Sequence, residues 1–226
     1  MEEWSVVHKV SILGFLGAML FGAIVNKTHF CIMGSISDWI NMDSRVRFRA
    51  WMLSIGVAIL GAQTMHQLGW LDLGGSIYLG ANFGLAGFLV GGFLFGIGMT
   101  LGAGCGQRTL VRVGAGNLKS LLVLMVMAIT AYATLRGLLA VVRIEVFDAL
   151  AIDLELYGIA DQGMDTLLAH VTGAPTAMVS KGIAAVLGLG AVWYAFKNPD
   201  FRASSDNIVA GIAIGLLVAG AWYVTG

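Results

Sequence analysis

The chain has 226 residues, of which 58% are apolar and only 12% charged, with 13 basic residues balancing 13 acidic ones. Soluble domains carry about 25% charged residues, so this composition, with a mean hydropathy of +0.86, excludes a soluble globular protein. The zero net charge and the lack of a basic tail give no footing for a nucleic-acid partner.

A membrane span needs roughly 20 mainly apolar residues. The first candidate covers 10–26; the preceding "MEEWSVVHK" holds two acids and no small-residue cleavage site follows, which predicts a retained helix and not a signal peptide. The connection 27–49 is too long for a tight helical hairpin, and its first part, "FCIMGSI", is apolar. Spans at 50–67 and 83–101 lead to a glycine-rich, basic connection at 102–117, then to a span at 118–138. Residues 143–175 are acidic with apolar residues at helical spacing, which predicts an interfacial helix pair on the periplasmic surface. Spans at 176–196 and 207–224 complete the set. The expected fold is an all-α polytopic membrane protein of about six transmembrane helices, a single transmembrane domain over 1–226, with short re-entrant or broken helices carrying the cysteines.

With the N-terminus outside, the cytoplasmic connections hold Lys27, Arg45, Arg47, Arg49, Arg108, Arg112, Lys119, Lys197 and Arg202, nine basic residues against four on the other side. The positive-inside bias therefore places both termini outside.

Two segments echo each other. "GAMLFGAIVNKTHFC" (17–31) and "GGFLFGIGMTLGAGC" (91–105) both read G-x-x-L-F-G, with a cysteine nine residues after the last glycine and an offset of 74 residues. A parallel repeat with units at about 10–82 and 83–142 is expected. Each unit would be a span followed by a cysteine on non-helical backbone, which hydrocarbon tolerates only where it is buried in protein or lines a wet cavity. Glycines at 102, 104 and 106 remove bulk that would stop the chain folding back. The residues after each cysteine are long enough to begin a short helix, whose N-terminus attracts anions.

Neither cysteine forms a CxxC pair, and no Cys/His spacing resembles a zinc site. Buried cysteine commonly packs as a small hydrophobe, and for Cys31 that reading stands beside the functional one. Cys105, between Gly104 and Gly106 and followed by Arg108 and Arg112, is the stronger candidate, because nearby positive charge attracts anions. Arg108 is close enough to help draw in an anion; Arg112 reads as a topogenic charge. Asp38 is expected to pair with Lys27 or the arginines at 45–49. Met99 is the one methionine placed near the glycine loop, and Asn117 is expected to cap the helix starting at Leu118. No phosphate loop, G-x-S-x-G or paired histidines are present, so neither an enzyme nor a cofactor is expected.

"NKTHFCIMGSISDW" and "GAGCGQRTLVRVGAGN" resemble the two cysteine motifs of the YeeE/YedE sulphur-transport family, and the resemblance runs from about Val10 to the last span. It implies a bacterial inner-membrane transporter that takes up a small sulphur-containing anion, thiosulfate first, by relaying it through hydrogen bonds to thiols without a stable covalent intermediate. Carried onto this sequence, the site comprises Cys105 and Cys31, together with Gly104, Gly106, Arg108 and Gly34. A thiol is a weak donor, able to hold a dianion and release it. Where the family often has G-E-G-N, this chain has Ala115 in "GAGN". Larger members continue into a second half with another cysteine motif, so the expectation is a half-size member pairing with a second subunit or with itself, or a piece of a longer chain. The rival classes are a membrane thiol–disulfide redox protein and an accessory half-subunit of a two-part permease.

Overall fold

The first helix runs well beyond its apolar stretch. In the computed structural model, which describes residues 2–76 and 78–225, α1 spans Glu2–Thr28. Nothing in "EEWSVVHK" breaks a helix, so the helix runs on through it. Met1 and Gly226, and with them the expected placing of both ends outside, lie outside the described residues, as does Ile77.

A break at residues 29–31 separates α1 from the short α2 (Ile32–Met42), which ends at Asp43 in the left-handed region (φ 51°). Next, α3 (Val46–Gln67) starts four residues before the span expected at 50–67 and takes Arg47 and Arg49 into the helix. Both had been placed in a connection as topogenic charges. They enter the helix because each finds acceptors: Arg47 on Asp38 and a backbone carbonyl, and Arg49 on the carbonyl of Tyr194, with its guanidinium 4.4 Å from the centre of the Tyr194 ring.

The chain forms two compact units, one comprising residues up to Tyr78 together with those from Ala174 onward, the other Leu79–Gly173. In the discontinuous unit, α3 packs against α9 (Thr176–Phe196) and α11 (Ser205–Thr225), joined by the short α10 (Pro199–Ala203). Its core is built from small residues. Ala210, Gly211, Ile214, Gly215 and Ala219 line the buried face of α11, where Gly211 and Gly215 meet Ala50, Leu53 and Ser54 of α3, while Gly56 of α3 turns to Gly188 of α9. Recurrence at three- and four-residue spacing puts them on one stripe, and small side chains let helix backbones approach in a membrane, where no hydrophobic force separates apolar helix from apolar lipid. The turn before α10 is stopped and restarted by Asn198, whose Oδ1 accepts from the Phe201 N–H at 3.0 Å, with Pro199 at the first helical position.

The contiguous unit is built on α4 (Leu85–Leu101), α5 (Gly106–Gly114), α6 (Leu118–Arg136) and α7 (Leu138–Val142). Asn117 caps α6 as expected, its Oδ1 accepting from the Ser120 N–H at 3.2 Å. Beyond α7, short helical turns reach Leu150, a two-residue antiparallel pairing joins β1 (Asn82–Phe83) to β2 (Ile152–Asp153), and α8 (Met164–Thr172) follows. None of the described residues of α4 is buried, and only Ser120 of α6 is.

Among the described residues, six helical stretches are long and apolar enough to cross a membrane: Val6–Met42, Val46–Gln67, Leu85–Gly114, Leu118–Arg136, Thr176–Phe196 and Ser205–Thr225. The molecule is an all-α, multi-pass membrane protein, and its many exposed leucines, valines and phenylalanines form the surface such a protein presents to lipid. The first and third stretches are each interrupted at a cysteine.

Candidate functional site

Both cysteines stand at the same kind of place. Cys31 is the residue immediately before α2, in extended backbone (φ −156°, ψ 127°), and Cys105 is the residue immediately before α5 (φ −75°, ψ 165°). Each carbonyl accepts the first bond of its helix, from the Ser35 N–H at 2.9 Å and the Thr109 N–H at 3.0 Å. Both are thiols and both are buried, at 2% and 6% exposure. Neither α2 nor α5 draws a side-chain capping bond from its cysteine. The N–H groups of a first helical turn point out of its end and carry the positive pole of the dipole, so each thiol sits where an anion is attracted.

Around Cys31, the chain leaves α1 through His29 in the left-handed region (φ 52°), and Phe30 stacks on Trp51 with ring centres 4.7 Å apart. Arg47 Nη1 donates to Asp38 Oδ2 at 2.9 Å, the pairing expected for Asp38, and Nη2 donates to the His29 carbonyl at 2.7 Å. Gly34 lies directly beneath that guanidinium: a Cβ there would stand 2.6 Å from Arg47 Nη2. Among the described residues, Arg47 Nε, Arg49 Nε and Trp51 Nε1 are buried donors without an acceptor. Gly34→Ala is expected to push the guanidinium off its two acceptors and to destabilise the protein by about 1–3 kcal/mol, the usual cost of overpacking, as read from a lowered denaturation midpoint in detergent.

Cys105 lines a half-open cavity of about 540 Å³ bordered by α4, the 102–105 loop, α5 and α6. Gly98, Met99, Gly102, Gly104 and Gly106 contribute from the loop side, and Val123, Met127 and Thr130 from α6. Met99 is thus at the cavity, as its position next to the loop suggested. The buried Thr109 hydroxyl bonds the Cys105 carbonyl at 3.2 Å. Arg108 is half-buried on α5, its stem beside Gly104, and is not among the residues lining the cavity. Arg112, expected only to fix topology, donates from Nη1 to the Ala103 carbonyl at 3.2 Å.

The loop glycines act by leaving room, not by bending the chain. The left-handed residue of "GAGCG" is Ala103 (φ 51°), whereas Gly102 has φ −77°. A Cβ on Gly106 would meet Met127 Cε at 3.3 Å, and one on Gly104 would make ordinary contact with Arg108 and Arg112 at 3.7–3.8 Å. Gly106→Ala asks only a flexible methionine tip to shift, but Gly106→Leu projects toward the cavity. The leucine variant is expected to abolish uptake while the alanine variant retains at least half of it, measured at matched protein levels in vesicles. Farther along, Gly116 is left-handed (φ 85°) in the turn to Asn117, the one position of "GAGN" where the backbone itself calls for glycine.

Residues missed from the sequence are Arg47, Ser35 and Thr109. The hydroxyl residues follow each cysteine by four positions, a C-x-x-x-[ST] spacing that could have been seen.

A family model described as sulphur transport matches residues 27–226, which takes in both cysteines and all of the helices after the first. The chain belongs to the sulphur transport family. It is similar to the thiosulfate transporter TsuA of Escherichia coli (strain K12), 29% identical over 107 residues, which cover 47% of this chain and 29% of that protein. It is also similar to the thiosulfate transporter TsuA of Spirochaeta thermophila, 25% identical over 124 residues, or 55% of this chain and 36% of the relative. The matched stretch thus spans about a third of each of these curated relatives. No solved structure matches the chain.

Proposed function

We propose that this member of the sulphur transport family takes up a small sulphur-containing anion, thiosulfate first, across the bacterial inner membrane, with Cys105 and Cys31 receiving it through thiol hydrogen bonds. The observation that carries the reading is the double placement of a buried thiol at the start of a short helix, where a membrane-spanning stretch is interrupted. A dianion entering hydrocarbon needs donors and a positive field without a counter-charge that would trap it. Helix N-termini supply the field, and a thiol, a weak donor, holds without gripping.

Further support comes from the buried donors near Cys31. Arg47 Nε and Trp51 Nε1 lie four residues apart on α3, both buried and without an acceptor. Buried polar groups are almost always satisfied, and an oxyanion would satisfy these. The cavity beside Cys105 is mostly apolar with a few polar groups, the composition that orients a small ligand. Arg108 acts in this reading from outside the cavity, as part of the cytoplasmic positive side.

The two cysteine regions also support an internal duplication. At an offset of 74 residues, left-handed His29 corresponds to Ala103, Cys31 to Cys105, and Ser35 to Thr109, while α2 and α5 begin at equivalent positions. Units at about 10–82 and 83–142 with a periplasmic surface segment at 143–175 remain our assignment, as does association with a second subunit or copy.

Accumulation of radiolabelled thiosulfate in proteoliposomes tests the function. Uptake that saturates and is suppressed by excess unlabelled thiosulfate, but not by chloride, is expected. Uptake no greater than that of protein-free liposomes would sink the proposal for this chain acting alone.

A further inference from the structure

Each cysteine is preceded, two residues earlier, by a left-handed residue that is not glycine. His29 and Ala103 adopt φ 52° and 51°, a conformation in which Cβ crowds the following carbonyl, and one that glycine enters at no steric cost. Strained backbone persists only where its surroundings hold it. At Ala103 the helix-ending bonds from the Ala103 N–H to the Thr100 carbonyl and from the Gly104 N–H to the Met99 carbonyl, both at 3.2 Å, contribute, and in both places an arginine guanidinium takes the carbonyl of the left-handed residue itself, Arg47 Nη2 on His29 at 2.7 Å and Arg112 Nη1 on Ala103 at 3.2 Å.

The two arginines reach the same target from different places. Arg47 comes from the first turn of α3 and is itself steadied by Asp38 at 2.9 Å. Arg112 comes from the last turn of α5, the helix that Cys105 begins, and its own carbonyl accepts from the Asn117 N–H at 3.0 Å, so it ties the loop before α5 to the turn after it. The recurrence of one acceptor with two unrelated donors marks the kinked carbonyl, not the arginine's place in the sequence, as the thing being held.

We infer that Arg47 and Arg112 are positioning residues, each clamping the left-handed carbonyl that sets its cysteine at the start of the following short helix. Without the clamp the kink relaxes, the backbone before the helix changes direction, and the thiol leaves its buried place. The importance of this for uptake rests on the transport reading above; its effect on the thiols does not.

Thiol labelling of the full chain in liposomes separates the two. The sequence has two cysteines, so a Cys31→Ala background leaves Cys105 as the sole target of a small maleimide. Arg112→Ala is expected to raise the labelling rate of Cys105 about tenfold. Adding Ala103→Gly, which makes the left-handed conformation unstrained, should bring the rate back to within about twofold of the parent. The mirrored set, Arg47→Ala with His29→Gly in a Cys105→Ala background, should behave alike for Cys31. A charge that only fixes topology predicts the opposite pattern, with Arg112→Lys normal and glycine without effect. Labelling of Arg112→Ala at the parental rate, or failure of glycine to reverse its effect, overturns the clamp. If labelling follows the clamp but thiosulfate uptake by Arg112→Ala with both cysteines intact is normal, the clamp stands and the transport role assigned to Cys105 falls.

Discussion

Cys105→Ala should reduce thiosulfate uptake by proteoliposomes by at least one order of magnitude while leaving the folded yield unchanged. A hydrogen bond to a charged partner contributes about 1.5–3 kcal/mol, and each 1.4 kcal/mol is a factor of ten, so loss of the thiol donor is enough. Packing argues that the fold survives. The thiol borders a cavity of about 540 Å³, and alanine keeps the Cβ while removing only the sulfur. Cys105→Ser should lose far less, since a hydroxyl still donates from nearly the same point. Serine should also be milder than any bulky residue at Gly104 or Gly106, which would occupy the space beside the thiol. Full uptake in the alanine variant would remove Cys105 from the site.

The second large effect concerns stability. Gly215→Val should eliminate most of the folded protein recovered from membranes. A Cβ at Gly215 would lie 2.7 Å from the Ser54 carbonyl oxygen and 2.7 Å from Val57 Cβ. Neither atom is the end of a flexible side chain, so α11 must move bodily off α3. Overpacking typically costs about 1–3 kcal/mol and occasionally more, and a β-branched residue against backbone belongs at the top of that range. Gly220→Val is the control on the same helix, because nothing stands within 4 Å of a Cβ there. Monodispersity in detergent and the denaturation midpoint report both. Equal tolerance at the two positions would refute the close approach of α3 and α11.

The helical spans were legible because hydropathy over 20 residues is a strong signal, and helices such as α9 fall where the sequence put them, at 176–196. The interruptions at the cysteines were legible too, from glycine and cysteine within otherwise apolar runs. The residue that makes the bend was not legible. Left-handed backbone is ordinarily signalled by glycine, and "GAGCG" offers three, yet Ala103 takes it. An arginine nine residues away takes its carbonyl, and a backbone carbonyl has no sequence signature. The same blindness hid the carbonyl partners of Arg47 and Arg49. An arginine near a span end reads as topology, and nothing local tells that Arg49 will find the Tyr194 carbonyl 145 residues later.

That last contact bears on how the protein is made. The unit holding Cys105 is one continuous stretch, Leu79–Gly173, complete once residue 173 leaves the ribosome. The unit holding Cys31 is split around it, and α3 must wait for α9 and α11. Until Tyr194 is synthesised, Arg49 has neither the carbonyl nor the ring that covers its charge, and a bare guanidinium in hydrocarbon is costly. The continuous unit can therefore complete its packing before the split one, whose α3 gains its partners only when the C-terminal helices are made.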